Sequence, residues 1–229
     1  MIRQITKLIF LLSILLHSSH TIAQSKDLQW WGNYTYHQTL HEQWQVSMRI
    51  ENRYLELDKN DFRAGISPKV VYDTQQDFEY IVGSRFFYYD TASKDGVMEY
   101  RPWLGLKYAQ PSPSSLSLSH QVRWEHRIYN NETSYESRMR YKFKVGTTLF
   151  KAGKQALKVA FSPELFWSLG VFDDATYKNT RWGFPVSYQY NENLVMEVVP
   201  FLQTNHDGML NPLSDESFGV IQLNLKTFL

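Results

Sequence analysis

The sequence predicts an all-β chain, folded as an antiparallel up-and-down transmembrane β-barrel of ten or twelve strands. Three observations carry this. Apolar and polar residues alternate with a period of two along most of the chain, the signature of strands with one apolar and one polar face. The alternating segments are long: a soluble strand usually runs about 5–6 residues, whereas a tilted membrane strand needs roughly 9–11. Charge is also sorted. All ten arginines beyond residue 23 lie inside such segments on the polar parity, and all eleven aspartates lie at segment ends or between segments. A polar lumen accounts for that sorting, because long basic side chains can cross it and pair.

Residues 1–23 read as an export signal. Arg3 and Lys7 precede an apolar stretch from Leu8 to Leu16, followed by polar residues and Thr21-Ile22-Ala23. Cleavage is expected after Ala23, and the apolar stretch is too short to span a bilayer. Residues 24–229 then form a single barrel domain. Removing Arg3 and Lys7 from 24 basic residues leaves 22 against 23 acidic ones, close to neutral. That balance gives no pull toward nucleic acid. The absence of cysteine excludes disulfides and thiolate chemistry, and 16% aromatic content excludes a disordered chain.

The segment from Gln43 to Glu56 opens the series, with Trp44, Val46, Met48, Ile50 and Tyr54 on one parity. Weaker alternation covers 61–72, 77–89 and 97–109. Strong alternation returns at 116–128 and 135–145, and it continues at 156–168, 177–190, 193–204 and 217–228. Turn clusters rich in Asp, Asn, Gly and Pro separate these segments. Counted from Gln43 there are ten, with connections at 57–60, 90–96, 130–133, 169–176 and 205–216 on the outer side. The shorter ones at 73–76, 110–114, 150–155 and 191–192 fall on the periplasmic side. Leu28 to Gln38 is left over, either an extra strand of a twelve-stranded barrel or a segment in the lumen or at its mouth. Pro68, Pro102, Pro163, Pro185 and Pro200 fall inside predicted strands. Since proline removes a ladder donor, they are expected near rims or bulges.

Asn131 and Glu132 are expected at the tip of a two-residue hairpin. Opposed residue numbers then sum to 263, placing Arg127 against Glu136, Glu125 against Arg138, and Arg123 against Arg140 inside. Outside, His126 faces Ser137. The Arg123–Arg140 pair would need an acid from another strand, Glu99 or Glu51.

Arg49-Ile50-Glu51-Asn52-Arg53, Glu99-Tyr100-Arg101-Pro102-Trp103, Arg123-Trp124-Glu125-His126-Arg127 and Arg138-Met139-Arg140-Tyr141 resemble the domain of unknown function 2490 family. The resemblance runs from Trp31 to the end. It implies a signal-peptide-bearing outer-membrane barrel of Gram-negative bacteria, located in the cell outer membrane. It carries no functional residues across, because the family has no established activity.

The polar parity holds 15 basic and 7 acidic side chains. Arg49, Glu51, Arg53, Glu99, Arg101, Arg123, Glu125, Arg127, Glu136, Arg138 and Arg140 form the expected lumen charge network. It implies either a narrow anion-leaning pore, in effect a small porin, or a structural barrel filled by Arg–Glu pairs. Trp44, Trp124, Trp167 and Trp182, on the other parity, are expected as interfacial aromatics. No catalysis, cofactor or metal site is expected. The expected partners are outer-membrane lipid, the barrel-assembly machinery during biogenesis and small anionic solutes, with no nucleic acid. Two alternatives stay open. One is an outer-membrane lipid-modifying enzyme using His126 and Ser137 as base and nucleophile; the other is a soluble periplasmic barrel binding an apolar ligand.

Overall fold

The computed structural model describes residues 28–56, 61–90, 96–112, 115–130, 135–169, 176–205 and 216–229. The export signal with its cleavage after Ala23 and the hairpin tip at Asn131 and Glu132 lie outside the described residues. The elements are β1 (Leu28–His41), β2 (Trp44–Glu56), β3 (Asp61–Asp73), β4 (Phe78–Asp90), β5 (Val97–Gln110), β6 (Leu116–Tyr129), β7 (Tyr135–Ala152), β8 (Gln155–Leu169), β9 (Thr176–Gly183), β10 (Val186–Asn191), β11 (Leu194–Asn205) and β12 (Glu216–Phe228). Their bounds follow the alternation closely, because the turn clusters that interrupt the period also end the ladders.

Each strand from β1 to β8 pairs with the next, β9 and β10 each bridge β8 and β11, and β12 pairs with β11 and closes on β1, so the sheet is a closed barrel. Strands β9 and β10 lie end to end as one stave. Gly183 faces Ser162 and Val186 faces Val159, three residues further along both strands, so the register against β8 is the same on both sides of the junction. The ring therefore has eleven staves rather than ten, and the eleventh is β1. The segment that had no place in the count of ten is part of the wall, hydrogen-bonded to β2 on one side and β12 on the other. With an odd number of alternating staves the first and last must run the same way. The β1–β12 seam is accordingly parallel, with Leu28 opposite Gly219 and His37 opposite Phe228.

The connections at 42–43, 74–77, 111–115, 153–154 and 192–193 lie at one end of the barrel, here the turn end. Those at 57–60, 91–95, 131–134, 170–175 and 206–215 join strands at the other, the loop end. Gln75 and Asp77 (φ 60° and 65°) and Gly153 (φ 56°) take the left-handed conformation that tight reversals require.

The prolines do not sit at rims. Pro68, Pro102, Pro163 and Pro200 lie well inside β3, β5, β8 and β11, and Pro185 joins β9 to β10. Each is accommodated by a short local gap. Ile66 faces Phe86 and Lys69 faces Gly83, with the ladder to β4 open at Ser67 and Pro68 between them, yet the register is the same on both sides. Pro68 stays paired to Met48 across the other seam. Pro102 likewise pairs with Ser84 while the β5–β6 ladder skips it. The missing N–H interrupts one seam and leaves the opposite seam intact. The carbonyls of Pro185 and Pro200 still accept from Ala160 and Phe184, at 2.9 and 3.0 Å.

The two parities separate cleanly in space. Ile50, Val82, Leu104 and Leu223 are about half exposed on the outside, at 48, 57, 51 and 47%. Glu51, Glu99 and Glu125 are 1, 2 and 0% exposed inside. Among the described residues the outer face is thus mainly apolar, and the buried ionic groups lie inside.

Candidate functional site: an Arg–Glu core above a lysine-lined chamber

The hairpin of β6 and β7 has the register expected from the sequence. Ile128 faces Tyr135, Trp124 faces Met139, Arg127 faces Glu136, Glu125 faces Arg138, and Arg123 faces Arg140. The arginines therefore point inward from both strands, and acids from several strands meet them. Glu125 Oε2 lies 2.6 Å from Arg138 Nη2 and 3.4 Å from Arg101 Nη1. Arg123 Nη2 lies 2.5 Å from Glu125 Oε1 without the alignment of a hydrogen bond, so that contact is one of charge alone. Glu99 holds Arg101 and the Tyr89 hydroxyl, Arg127 Nε at 2.9 Å and Arg63 Nη2 at 3.5 Å. Glu51 accepts from Arg53 Nη2 at 2.8 Å and Ser67 Oγ at 2.9 Å, and Arg85 Nε lies 3.7 Å away. Each fully buried carboxylate thus faces two or more guanidinium groups. Taking ions out of water costs several kcal/mol each unless partners replace the water, and this arrangement supplies them.

The acid that serves Arg140 is Glu164, with Oε2 at 2.6 Å, rather than Glu99 or Glu51. The reason is adjacency. Strand β8 lies directly beside β7, with Glu164 facing Lys142, while Glu99 and Glu51 sit on the far side of β6 and are occupied by their own arginines.

Aromatic side chains on the polar parity are the component that sequence reasoning missed. Arg53 stacks 3.8 Å over Trp31, Arg63 3.7 Å over Phe87, Arg123 4.5 Å over Trp103 and Arg181 4.8 Å over Phe166. Such cation–π contacts suit guanidinium groups held away from water. Two of the rings lie over glycines of the neighbouring strand, Phe87 over Gly65 and Trp103 over Gly83. A Cβ on Gly83 would stand 2.6 Å from the indole, so only glycine fits beneath it. At the loop end Phe87, Tyr89, Val97 and Tyr129 form one buried cluster, and Trp31, Phe201 and Val220 another. The signal was present: these residues share parity with arginine and glutamate, where a solvated lumen face would not place them.

Lysine occupies the other half. Lys69, Lys107, Lys158 and Lys226 fall toward the turn end of their strands and Lys142 and Lys144 near the middle of β7, whereas most of the arginines lie toward the loop end. A cavity of about 270 Å³ lies where the two zones meet and takes in lysines from β3, β7 and β12. The axial sorting of lysine from arginine was legible along the chain and would have located this chamber.

On the outer face, Ser137 Oγ and His126 Nδ1 are 2.8 Å apart, so the predicted alignment brings them into hydrogen-bond contact. His120 is committed elsewhere, with Nδ1 2.8 Å from the Tyr141 hydroxyl and Nε2 3.2 Å from Gln110 Oε1. Trp44, Trp124 and Trp182 are exposed on the outside at 45, 44 and 43%, and Trp167 lies on the same parity. Trp44 begins β2 at the turn end, and Trp167 lies near the loop end of β8. Trp124 and Trp182 sit further along the wall. Trp124 packs edge-on against His126 with ring centroids 4.5 Å apart.

No curated protein matches the chain. A family model described as "Protein of unknown function (DUF2490)" matches residues 28–208, from the first residue of β1 to just beyond β11. With that much of the barrel matched, the chain belongs to the DUF2490 family.

Proposed function

We propose that the protein is an outer-membrane β-barrel that does not conduct, its loop-end half closed by its own Arg–Glu and aromatic core. Two features support a membrane setting. The outward belt of Ile50, Val82, Leu104, Leu223 and their neighbours is apolar surface far larger than a water-facing barrel exposes. The closed ladder leaves no strand edge to hydrogen-bond in lipid. Its partners on this reading are outer-membrane lipid and, during biogenesis, the barrel-assembly machinery. The observation that carries the closed state is the burial of Glu51, Glu99 and Glu125, which a water-filled channel would leave hydrated.

Two measurements test it. Purified mature chain in detergent should migrate faster unboiled than boiled, as folded membrane barrels do. In planar bilayers it should give no stable conductance steps. Steady channels with either ion preference would overturn the closed core, and identical migration with no insertion into vesicles would overturn the membrane reading.

The contact between Ser137 and His126 favours a second reading, lipid modification on the outer face. There His126 would take the hydroxyl proton as Ser137 attacks an acyl ester, return it to the lipid alcohol as the ester C–O bond breaks, and then take a proton from the water that hydrolyses the acyl-serine to free fatty acid. Release of fatty acid from outer-membrane lipid by the wild type but not by Ser137→Ala would establish it. No release from either leaves the non-catalytic barrel.

A further inference from the structure

We infer that the chamber where the arginine and lysine zones meet is a binding site for a small phosphate-class oxyanion. Ten basic side chains line it against three acidic ones. The three acids are already committed inside the wall. Glu51 is held by Arg53 and Ser67, Glu164 by Arg140 and Lys142, and Glu197 by Lys226 and Asn224. What remains is an excess of positive charge facing one enclosed space.

Three members of that excess have no direct ion pair among the described residues: Arg49, Lys69 and Lys144. Arg49 donates to the Thr35 hydroxyl at 3.3 Å, a neutral partner. Lys69 faces the positive charges of Arg49, Lys107 and Arg123, and the acid that opposes them, Glu79, is itself bound to Lys107. Lys144 is repelled by Lys142, Lys226 and Lys107 and attracted by Glu197, which Lys226 already holds. Such crowding is unfavourable without a counter-charge. Arg49 and Lys69 reach the cavity side by side from the adjacent strands β2 and β3, and Lys144 reaches it from β7, so positive charge meets there from two separate parts of the wall.

That geometry selects the ligand. A carboxylate is planar and suits one guanidinium fork. Ammonium and guanidinium donors arriving from several directions suit a tetrahedral oxyanion with two negative charges and oxygens pointing all round. About 270 Å³ admits a phosphate group with some of its water. A second cavity of about 180 Å³ shares Lys144 and Pro185 with the first, is lined by Lys158 and Ser117, and reaches Ser115 at the turn end. It marks that end as the way in. With the loop-end half closed, the site is blind, loaded and emptied from one side. That this side is the periplasm rests on the outer-membrane reading; the binding itself does not.

The test is calorimetric titration of the folded mature chain in detergent with inorganic phosphate at low salt. Saturable binding to one site is expected, weakened at least about tenfold in Lys69→Gln and in Lys144→Gln. It should be unchanged in Lys154→Gln, which alters an exposed pair with Glu192 in a turn. Heat-modifiable migration of each variant shows that the barrel is intact, and if Lys69→Gln does not fold, Lys144→Gln decides. A parallel titration with short-chain phosphatidic acid, whose phosphomonoester can carry two negative charges, separates the sources. Tighter binding than inorganic phosphate assigns the group to a lipid headgroup, and weaker binding assigns it to a free phosphate compound; either supports the chamber provided the variants lose it. Absence of phosphate-class binding in the wild type, or affinity equal in all variants, would overturn the inference. The migration assay reports the membrane barrel separately, so the two failures cannot be confused.

Discussion

Glu125→Ala should destabilise the folded barrel by about 3–5 kcal/mol, the range for removing one side of a buried ion pair. The carboxylate is completely buried and touches Arg101, Arg123 and Arg138. Arg101 keeps Glu99 after the change. Among the described residues, Arg123 and Arg138 then have the faces of Trp103 and Phe166 and no direct ion pair, so two guanidinium groups are left buried without a paired carboxylate. Glu136→Ala makes the contrast. Glu136 is partly exposed at the edge of the network, and its partner Arg127 retains Glu99 at 2.9 Å. A loss of no more than about 1 kcal/mol is expected there. Urea unfolding in micelles, followed by tryptophan fluorescence, reads both. Combining Glu125→Ala with Arg123→Leu and Arg138→Leu should recover much of the loss, because an apolar replacement removes the orphaned charges. Equal effects at Glu125 and Glu136 would show that burial of the pair is not what holds the core.

What could be read from the sequence divides by the range of the interaction that encodes it. Face assignment is local, because the alternation of Arg123, Glu125 and Arg127 with Trp124, His126 and Ile128 follows from the two-residue period of any strand. Hairpin register is nearly local, and the β6–β7 pairing came out residue for residue with Trp124 against Met139 and Arg127 against Glu136. Contacts across the lumen depend on which staves are neighbours and on ring size, and no period records those. Arg63 with Glu99, two strands apart, lies beyond that reach, whereas Arg140 with Glu164 crosses the single seam between β7 and β8 and belongs with the hairpin registers. The prolines failed for another reason. A rule about single donors took no account of a ladder having two sides, and at Pro68 only the side toward β4 opens. Phe87, Phe166 and Trp31 were passed over because polar parity was equated with polar residues. In a lumen filled with guanidinium groups, an aromatic face is a partner too.

Deleting Leu28–His41 should abolish the folded barrel altogether. Strand β1 holds ten registered pairs with β12 and eleven with β2, and in the membrane setting proposed above each hydrogen bond lost costs more than its usual net value. Direction alone would allow the gap to heal. Strand β2 runs away from the turn end and β12 toward it, so the two edges are antiparallel and a ten-stranded ring, the number counted from Gln43, is topologically open to the shortened chain. Volume forbids it. Closing the ring on ten staves narrows a lumen already packed around Phe166 and Val220, both fully buried, and around Glu125. The deletion also removes Trp31 from beneath Arg53, and Asn33 from Asn224, which it meets at 2.8 Å. Overpacking and unpartnered charge therefore both oppose the smaller ring, and two unpaired edges in detergent lead to aggregation instead. The expected result is a chain with no heat-modifiable form, recovered in part when a peptide spanning residues 28–41 is supplied during refolding, since the slot between β2 and β12 accepts one strand in one register. A shortened chain that folds by itself, migrates as a compact species and ignores the peptide would mean that β1 is an accessory to a ten-stranded barrel rather than its eleventh stave.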